Sequence, residues 1–382
     1  MKILLALTHA GFGGVAKHVI DLAVYFKKRN NEVFIAVGNQ KTDLLQELSR
    51  YADEVIILPF LKREVSILND LRTLKTVITL LKKYSFDIIH CHGPKAGFIF
   101  RLAGKIVGAK VIYTHHLIVY KQFDPFTGIL YRWLEKLASS WGERVITVSN
   151  HVRMALIKDK VVKANKILTI YNWISDLDPI YTKEEARNKL NLAKDAFVLS
   201  YVGRLEVPKD PLTALEGFHE FLRRATPTSR EIKFYIVGDG PLKKDVINVI
   251  NRLKLGDYVI LTGFTKDPEM YLAASDVFIL TSRQEGLPIA ILEAMKYSLP
   301  IISNPVDGVP EQVENGVNGF LVPLGDKYTL CSKILELYSN ADLVVKMGQE
   351  SRKIVQDKFN AEKNLKKIEK VYEDILNNKE RG

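Results

Sequence analysis

Ser275-Asp-Val-Phe-Ile-Leu-Thr-Ser-Arg-Gln-Glu-Gly-Leu-Pro-Ile-Ala-Ile-Leu-Glu-Ala-Met295 reads as strand, tight loop and helix. The strand spans Asp276 to Thr281, and its apolar run Val277 to Leu280 is of the kind buried on both faces of a parallel sheet. Gly286 permits an unusual backbone turn, and Pro288 suits the first turn of a helix, where a missing N–H goes unnoticed. The helix is expected to run to about Tyr297, with the amides of Gly286, Leu287 and Ile289 offering the positive end of its dipole to a phosphate. Glu285 stands at the mouth of that site, and Glu293 a little over one turn into the helix, where a carboxylate can hold a vicinal diol such as a ribose presents. The plainer alternative makes Glu285 a helix-capping acid and Glu293 a solvated helix residue.

Strand and helix alternate on both sides of this stretch. Ile3 to Leu7, Val33 to Val37, Glu54 to Leu58, Phe86 to Cys91, Val111 to Thr114, Arg144 to Ser149 and Ile167 to Asn172 read as seven strands. A polar connector from about Ile174 to Ala196 follows, and its Asp176-Leu-Asp178-Pro179 reads as a turn instead of a metal motif. Alternation then restarts with Phe197 to Val202, which leads into Gly203-Arg204-Leu-Glu-Val-Pro208-Lys209. Arg204 offers a planar fork and Lys209 a point charge, a pair suited to a diphosphate.

Glu285-Gly-Leu-Pro-Ile-Ala-Ile-Leu-Glu293-Ala resembles the paired-glutamate signature of the retaining GT-B glycosyltransferases of family 4, and the Gly203-Arg204 loop is similar to that family's diphosphate-binding loop. The resemblance implies an α/β fold of two doubly wound, Rossmann-like domains facing each other across a cleft. An acceptor-binding domain over 1–175 would be followed by a nucleotide-sugar domain over 176–360, and a helix over 361–382 would return to the first. It further implies that Glu285 orients donor-sugar hydroxyls, that Glu293 holds the nucleotide ribose, and that Phe264 lies at the height of the base. His116, after Tyr113-Thr114, matches the family's histidine near the donor sugar; a structural histidine is the alternative there and the favoured reading for His115. Leu117 and Trp173 stand where the family usually has glycine.

Gly11-Phe-Gly13-Gly14-Val-Ala16 satisfies the dinucleotide pattern literally, but no acid ends the second strand, where Val37 runs into Gly38-Asn39. A bare Gly13-Gly14 backbone approaching a phosphate or sugar is the alternative, and the family's first loop resembles it. His90 and His92 alternate in Phe86-Asp-Ile-Ile-His-Cys-His92, yet no third ligand is near in sequence, so no metal site is expected. The two cysteines, Cys91 and Cys331, make no metal spacing, and a reducing cytosol is the expected compartment. The stretch Val65 to Lys83 is expected to be a helix burying Leu68, Leu71, Leu74, Ile78 and Leu81.

Residues 1–175 hold 26 Lys and Arg against 13 Asp and Glu, and the remainder holds 29 against 31. A first half at +13 beside a second at −2 suggests a face for anionic lipid or a diphosphate-bearing acceptor. Nucleic acid is disfavoured, since no finger, recognition helix or basic-aromatic sheet motif is present. Ile118 to Trp141 interleaves Tyr120, Phe123, Phe126, Tyr131 and Trp133 with Lys121, Arg132 and Lys136. That segment is read either as an amphipathic surface leaning on a bilayer or as a core-packed helix. No apolar run reaches the roughly 18 residues of a membrane span, and Met1 to Leu7 reads as a buried strand, not a signal peptide.

The function expected is transfer of a glycosyl group from a nucleotide diphosphate sugar, with UDP the family's commonest carrier, to a glycan or lipid-linked acceptor in surface polysaccharide synthesis. Transfer would proceed with retention and without a metal ion or other cofactor, in the cytoplasm or at the inner face of the membrane. Glu285, His116, Arg204 and Lys209 are the catalytic candidates, and no residue stands out as a nucleophile. Nucleotide-sugar epimerisation and glycoside phosphorolysis are the enzymatic alternatives; an inactive sugar-nucleotide binder or a membrane scaffold is the non-enzymatic one.

Overall fold

The computed structural model describes residues 1–9, 13–38, 43–225 and 230–377, with the chain divided into two compact units. Gly11 and Phe12 of the first glycine loop, and Asn39, lie outside the described residues. The first unit comprises Met1–Asn172 together with the chain from Glu362, and the second comprises Trp173–Ala361.

In the first unit β1 (Lys2–Leu7), α1 (Gly14–Lys27), β2 (Glu32–Gly38), α2 (Asp43–Ser49) and β3 (Glu54–Leu58) form one half. The other half runs through α3 (Ile67–Tyr84), β4 (Ile88–His92), α4 (Pro94–Val107), β5 (Val111–His115), α5 (Pro125–Ser139), β6 (Arg144–Thr147), α6 (Asn150–Lys158) and β7 (Ile167–Thr169). All seven strands are parallel, in the order β3-β2-β1-β4-β5-β6-β7. Strands such as β4 and β5 are buried at every position, as a sheet covered by helices on both faces demands. Leu4, Phe34, Ile89, Phe100, Val111 and Tyr113 lie in one continuous core beneath α3 and α4.

The second unit begins with α7 (Lys183–Lys189), β8 (Phe197–Val202), α8 (Pro211–Arg224), β9 (Ile232–Val237), α9 (Lys243–Arg252), β10 (Val259–Gly263) and α10 (Glu269–Ala274). It continues through β11 (Val277–Leu280), α11 (Ile289–Lys296), β12 (Ile301–Ser303), β13 (Gly319–Leu321), α12 (Lys327–Tyr338) and α13 (Ala341–Lys358). Its six parallel strands run β10-β9-β8-β11-β12-β13. Asp176 and Asp178, exposed before this unit's first helix, form the turn read from sequence: the Asp178 amide donates to Asp176 Oδ1 at 2.9 Å.

The last helix, α14 (Ala361–Asn377), belongs with the first unit from Glu362 onward. Its Tyr372 ring stacks on Phe26 with centroids 4.9 Å apart, and its hydroxyl lies 2.7 Å from His90 Nδ1. Tyr25 donates to Glu369 at 2.8 Å.

Two local expectations are corrected. The face of α3 that meets the core carries Thr73, Val77, Leu80 and Leu81, with Leu74 and Ile78 packed at its margin, whereas Leu68 and Leu71 face solvent. Pro288 is the N-cap of α11, with an extended ψ of 122°, so the helix starts at Ile289 and Glu293 is its fifth residue.

Candidate active site

In the second sheet the order of connection reverses between β8 and β11, and the crevice beyond the carboxyl ends of such strands is where open α/β sheets bind ligands. Both segments singled out in the sequence leave the sheet at this point. The loop after β8 carries Arg204 and Lys209, and the loop after β11 carries Glu285 and Gly286 into α11. Backbone and side chain stitch them together. The Arg283 amide donates to the Pro208 carbonyl at 2.8 Å, and Thr281 Oγ1 donates to the Asp210 carbonyl at 2.7 Å.

Lys209 Nζ and Glu285 Oε1, 76 residues apart in the chain, meet at 2.5 Å. The same oxygen accepts from Ser282 Oγ at 2.7 Å, and the Glu285 amide donates to Asp307 Oδ2 of the loop after β12 at 2.9 Å. Glu285 is therefore a buried carboxylate with a fixed orientation, not a surface cap. Asp210, at a left-handed φ of 45°, caps α8 and accepts from Arg283 Nε at 2.9 Å, which fixes the end of the Lys209 loop. Ser282, Asp307, Asp210 and Arg283 were not found by sequence reasoning. The Asp307-Gly308 pair, with Asp307 at φ 43°, is the signal that a turn faces Glu285.

Arg204 is half-exposed, and its Nε lies 3.2 Å from Glu206 Oε2. Its loop rests on the one after β9: the Leu205 amide donates to the Asp239 carbonyl at 3.1 Å, and the Gly203 amide to that of Val237 at 3.0 Å. Gly238 has φ +146°, and a Cβ there would stand 1.9 Å from the Gly203 carbonyl oxygen; one on Gly240 would stand 2.4 Å from that of Leu205. Only glycine lets these two loops touch. Pro288, the N-cap residue of α11, makes no side-chain cap, and its carbonyl is held by Gln312 Nε2 at 3.0 Å. Gly286 and Leu287 are buried ahead of it, Glu293 is half-buried, and the Phe264 ring beyond β10 is 52% exposed.

The first unit has its own group of polar residues at the carboxyl ends of β1, β4 and β5. Gly13, exposed, is the N-cap of α1, and Gly14 begins the helix. Alternation along β4 puts His90 and His92 on one side. His90 is structural, bridging the Tyr372 hydroxyl and Thr114 Oγ1, each at 2.7 Å. His115 is structural too: it lies 3.1 Å from Glu135, whose carboxylate is bound by Arg101 at 2.7 and 3.0 Å. Burial pushes the Glu135 carboxyl up, yet Arg101 and His115 outweigh it and hold the group well below the usual range. His116, half-buried, has Nε2 3.2 Å from His92 Nδ1.

The expectation that no third metal-type ligand is near His92 is overturned by the fold. His18, from the second turn of α1, joins His92 and His116, and one ligand atom from each lies within 4.8 Å of the others. His18 Nδ1 is 3.2 Å from Asn172 Oδ1. Sequence spacing hid this group because His18 is 74 positions from His92.

Burial, reinforced by neighbouring imidazoles, lowers His18, His90 and His92 well below their ordinary value and takes His116 down to about 3. The folded chain thus holds them neutral at pH 7, while the unfolded chain binds protons as pH falls below about 6.5. Stability from these groups is fully present above that value and is lost on acidification toward pH 3. Each imidazole that stays neutral costs about 1.4 kcal/mol per pH unit. Urea midpoints should therefore drop steeply between pH 6.5 and 5, and a flat profile would contradict the neutral cluster.

The family described as Glycosyltransferase Family 4 matches residues 12–176, and that described as Glycosyl transferases group 1 matches residues 182–354. UDP-Gal:alpha-D-GlcNAc-diphosphoundecaprenol alpha-1,3-galactosyltransferase of Escherichia coli is 32% identical over 343 residues, which cover 87% of each chain. The chain belongs to the family 4 (group 1) glycosyltransferases. The capsular polysaccharide biosynthesis glycosyltransferase CapM of Staphylococcus aureus is 26% identical over 374 residues, 93% of each chain. HepE of Anabaena, solved with UDP and glucose, superposes with a TM-score of 0.84 at 22% identity, covering 97% of this chain and 99% of that one. The fold of this glycosyltransferase is accordingly GT-B. Leu117 is half-buried and Trp173 fully buried.

Proposed function

We propose that this glycosyltransferase moves a hexosyl group, with retention, from a UDP-sugar to a sugar joined through a diphosphate to a polyprenyl lipid, in the assembly of a surface polysaccharide. The observation that carries the reading is the Lys209–Glu285 pair at 2.5 Å just ahead of the start of α11, with Arg204 on the same loop as Lys209. The E. coli relative named for such a donor and such an acceptor supports the substrate class. The basic first unit would work against an anionic membrane surface at the inner face of the cell.

The C1–phosphate bond breaks as the acceptor oxygen bonds C1 from the same face, and the acceptor proton passes to the departing phosphate oxygen. Charge grows on that diphosphate, so fixed cations and helix amides lower the barrier selectively. Arg204, Lys209 and the amides of the Gly286, Leu287 and Ile289 stretch supply them without a metal ion. Glu285, its carboxylate fixed by Lys209 and Ser282, orients hydroxyls of the donor sugar. Glu293 receives the ribose diol and Phe264 stacks on the base. By the family resemblance, Gly13 and Gly14 of the first unit would offer bare backbone to a phosphate or sugar, and His116, neutral at pH 7, a hydrogen bond to substrate.

UDP-galactose, UDP-glucose and UDP-N-acetylglucosamine, each offered with and without a short-chain, water-soluble N-acetylglucosaminyl diphosphate lipid, test the reaction. UDP release that depends on acceptor, with an α-linked product by NMR, is expected. Interconversion of the donor without acceptor would instead indicate the epimerase reading, cleavage of a glycoside by phosphate the phosphorylase reading, and a β-linked product would remove retention. The same assay in excess chelator should keep its rate; loss that magnesium or manganese restores would overturn the metal-free mechanism. Glu293→Ala removes a charged hydrogen-bond acceptor from the ribose, and calorimetry with UDP should show affinity about ten- to a hundredfold weaker. Wild-type affinity would remove Glu293 from the ribose.

A further inference from the structure

Three imidazoles of the first unit close into a triangle. His18 comes from the second turn of α1, His92 ends β4 and His116 directly follows β5, so three separate elements contribute one ring each. Ring centroids are 5.0 Å apart for His18 and His116, 5.3 Å for His18 and His92, and 5.5 Å for His92 and His116. Three imidazoles on one zinc ion, with Zn–N bonds of about 2 Å at tetrahedral angles, hold their centroids roughly 5 Å apart and their ligating nitrogens about 3.3 Å apart. His92 Nδ1 and His116 Nε2 are already 3.2 Å apart. One ring nitrogen from each of the three lies within 4.8 Å of the others, so a short inward shift closes the set.

The surroundings prepare these rings for ligation. Asn172 Oδ1 can only accept, so His18 Nδ1, 3.2 Å away, carries the ring proton and the lone pair stays on Nε2. A carbonyl behind one imidazole nitrogen is the usual means of orienting a metal-bound histidine. Between His92 and His116 a hydrogen bond uses one proton for two nitrogens, whereas a metal ion engages the lone pairs of both. His92 Nε2 is buried and has no hydrogen-bond partner among the described residues, so the polypeptide does not use up the polar capacity of the group. His90 bridges Thr114 and Tyr372 beside it, which holds β4 rigidly against β5.

We propose that His18, His92 and His116 form a binding site for a divalent ion of the zinc class, with a fourth coordination position left open. Among the described residues the group contains no carboxylate or thiolate, and an all-imidazole set suits Zn2+, Co2+, Ni2+ and Cu2+ while disfavouring Mg2+ and Ca2+. The site belongs to the first unit, and its ion is not the partner of the leaving diphosphate, which Arg204, Lys209 and the α11 amides of the second unit serve. Occupation takes His116 away from substrate, so zinc should inhibit transfer. This consequence alone rests on the role proposed above for His116.

The test uses full-length protein, stripped of metal with chelator and then freed of chelator and of any affinity tag. At neutral pH it is titrated with Zn2+ by calorimetry and with Co2+ in the visible spectrum. One Zn2+ per chain is expected, with a higher melting temperature at saturation, and Co2+ should show the intense absorption of tetrahedral coordination. Millimolar Mg2+ should neither compete nor stabilise. His18→Gln removes a ligand outright and should weaken Zn2+ binding about a hundredfold or more and abolish the Co2+ band, whereas His151→Gln, at an exposed position, should bind as wild type. If the buried substitution lowers the metal-free melting temperature, His116→Gln, at the half-buried corner, gives the same reading. Absence of stoichiometric binding in wild type, or undiminished affinity in both ligand variants, overturns the proposal. So does loss of binding in His151→Gln, which would mean an adventitious surface ion. Tight binding that leaves transfer at its metal-free rate would count for the site and against the substrate role of His116.

Discussion

Lys209→Ala is expected to lower kcat by roughly a hundred- to a thousandfold, the usual loss when one preorganised donor to a developing oxyanion is removed. The same substitution strips the buried Glu285 carboxylate of its cation, leaving it with the Ser282 hydroxyl. Breaking a buried pair on one side costs about 3 kcal/mol or more. For a unit of this size that corresponds to a fall in Tm of about 6–12 °C. The two effects are separable. Adding Glu285→Gln to Lys209→Ala removes the stranded charge and should restore most of the melting temperature, while turnover stays low. Recovery of turnover in the double variant would mean that Lys209 merely neutralises Glu285, and wild-type kcat in Lys209→Ala would remove the leaving-group role altogether. Arg204→Ala, whose side chain is half-exposed, should lower kcat with little change in melting.

Gly238→Ala carries the second large effect, this time on the scaffold. The new methyl group would stand 1.9 Å from the Gly203 carbonyl oxygen on a backbone with φ +146°, so neither the residue nor its neighbour can stay in place. Displacement of the loop after β8, added to backbone strain, is expected to cost at least about 3 kcal/mol. UDP affinity should fall with it, because Arg204 directly follows Gly203. Gly256→Ala serves as the control: a Cβ there meets no atom within 4 Å, and its melting temperature should match wild type. Equal melting temperatures for the two variants would refute the steric account of the Gly238 contact.

Much of this was legible in the sequence because parallel strands buried on both faces leave short apolar runs, and such runs in this chain end in glycine, histidine or charge. The runs Phe197 to Val202 and Val259 to Gly263 read directly as β8 and β10. Features that depend on residues meeting across the sheet were not legible. Lys209 and Glu285 are 76 positions apart and touch only because β8 and β11 are neighbours out of chain order. His18, on the buried face of α1, was not singled out in the sequence, and the adjacency of β1 and β4 makes it a partner of His92 and His116. The α3 error has a different origin. Leu68 and Leu71 were assigned to the core because apolar periodicity cannot tell a face that meets the sheet from one left bare, and both lie on the bare one.

Helix α14 has a consequence for biogenesis. Leu365, Ile368, Val371, Tyr372 and Ile375 are buried, with Tyr372 capping His90 and stacked on Phe26. The chain that starts the first unit therefore leaves the ribosome without the piece that completes its hydrophobic interior, which arrives only after all of Trp173–Ala361 has been translated. The second unit, encoded without interruption, can fold during synthesis, whereas the first is completed only once α14 has been made. Until then its unfinished surface is the part of the molecule most open to chaperones and proteases.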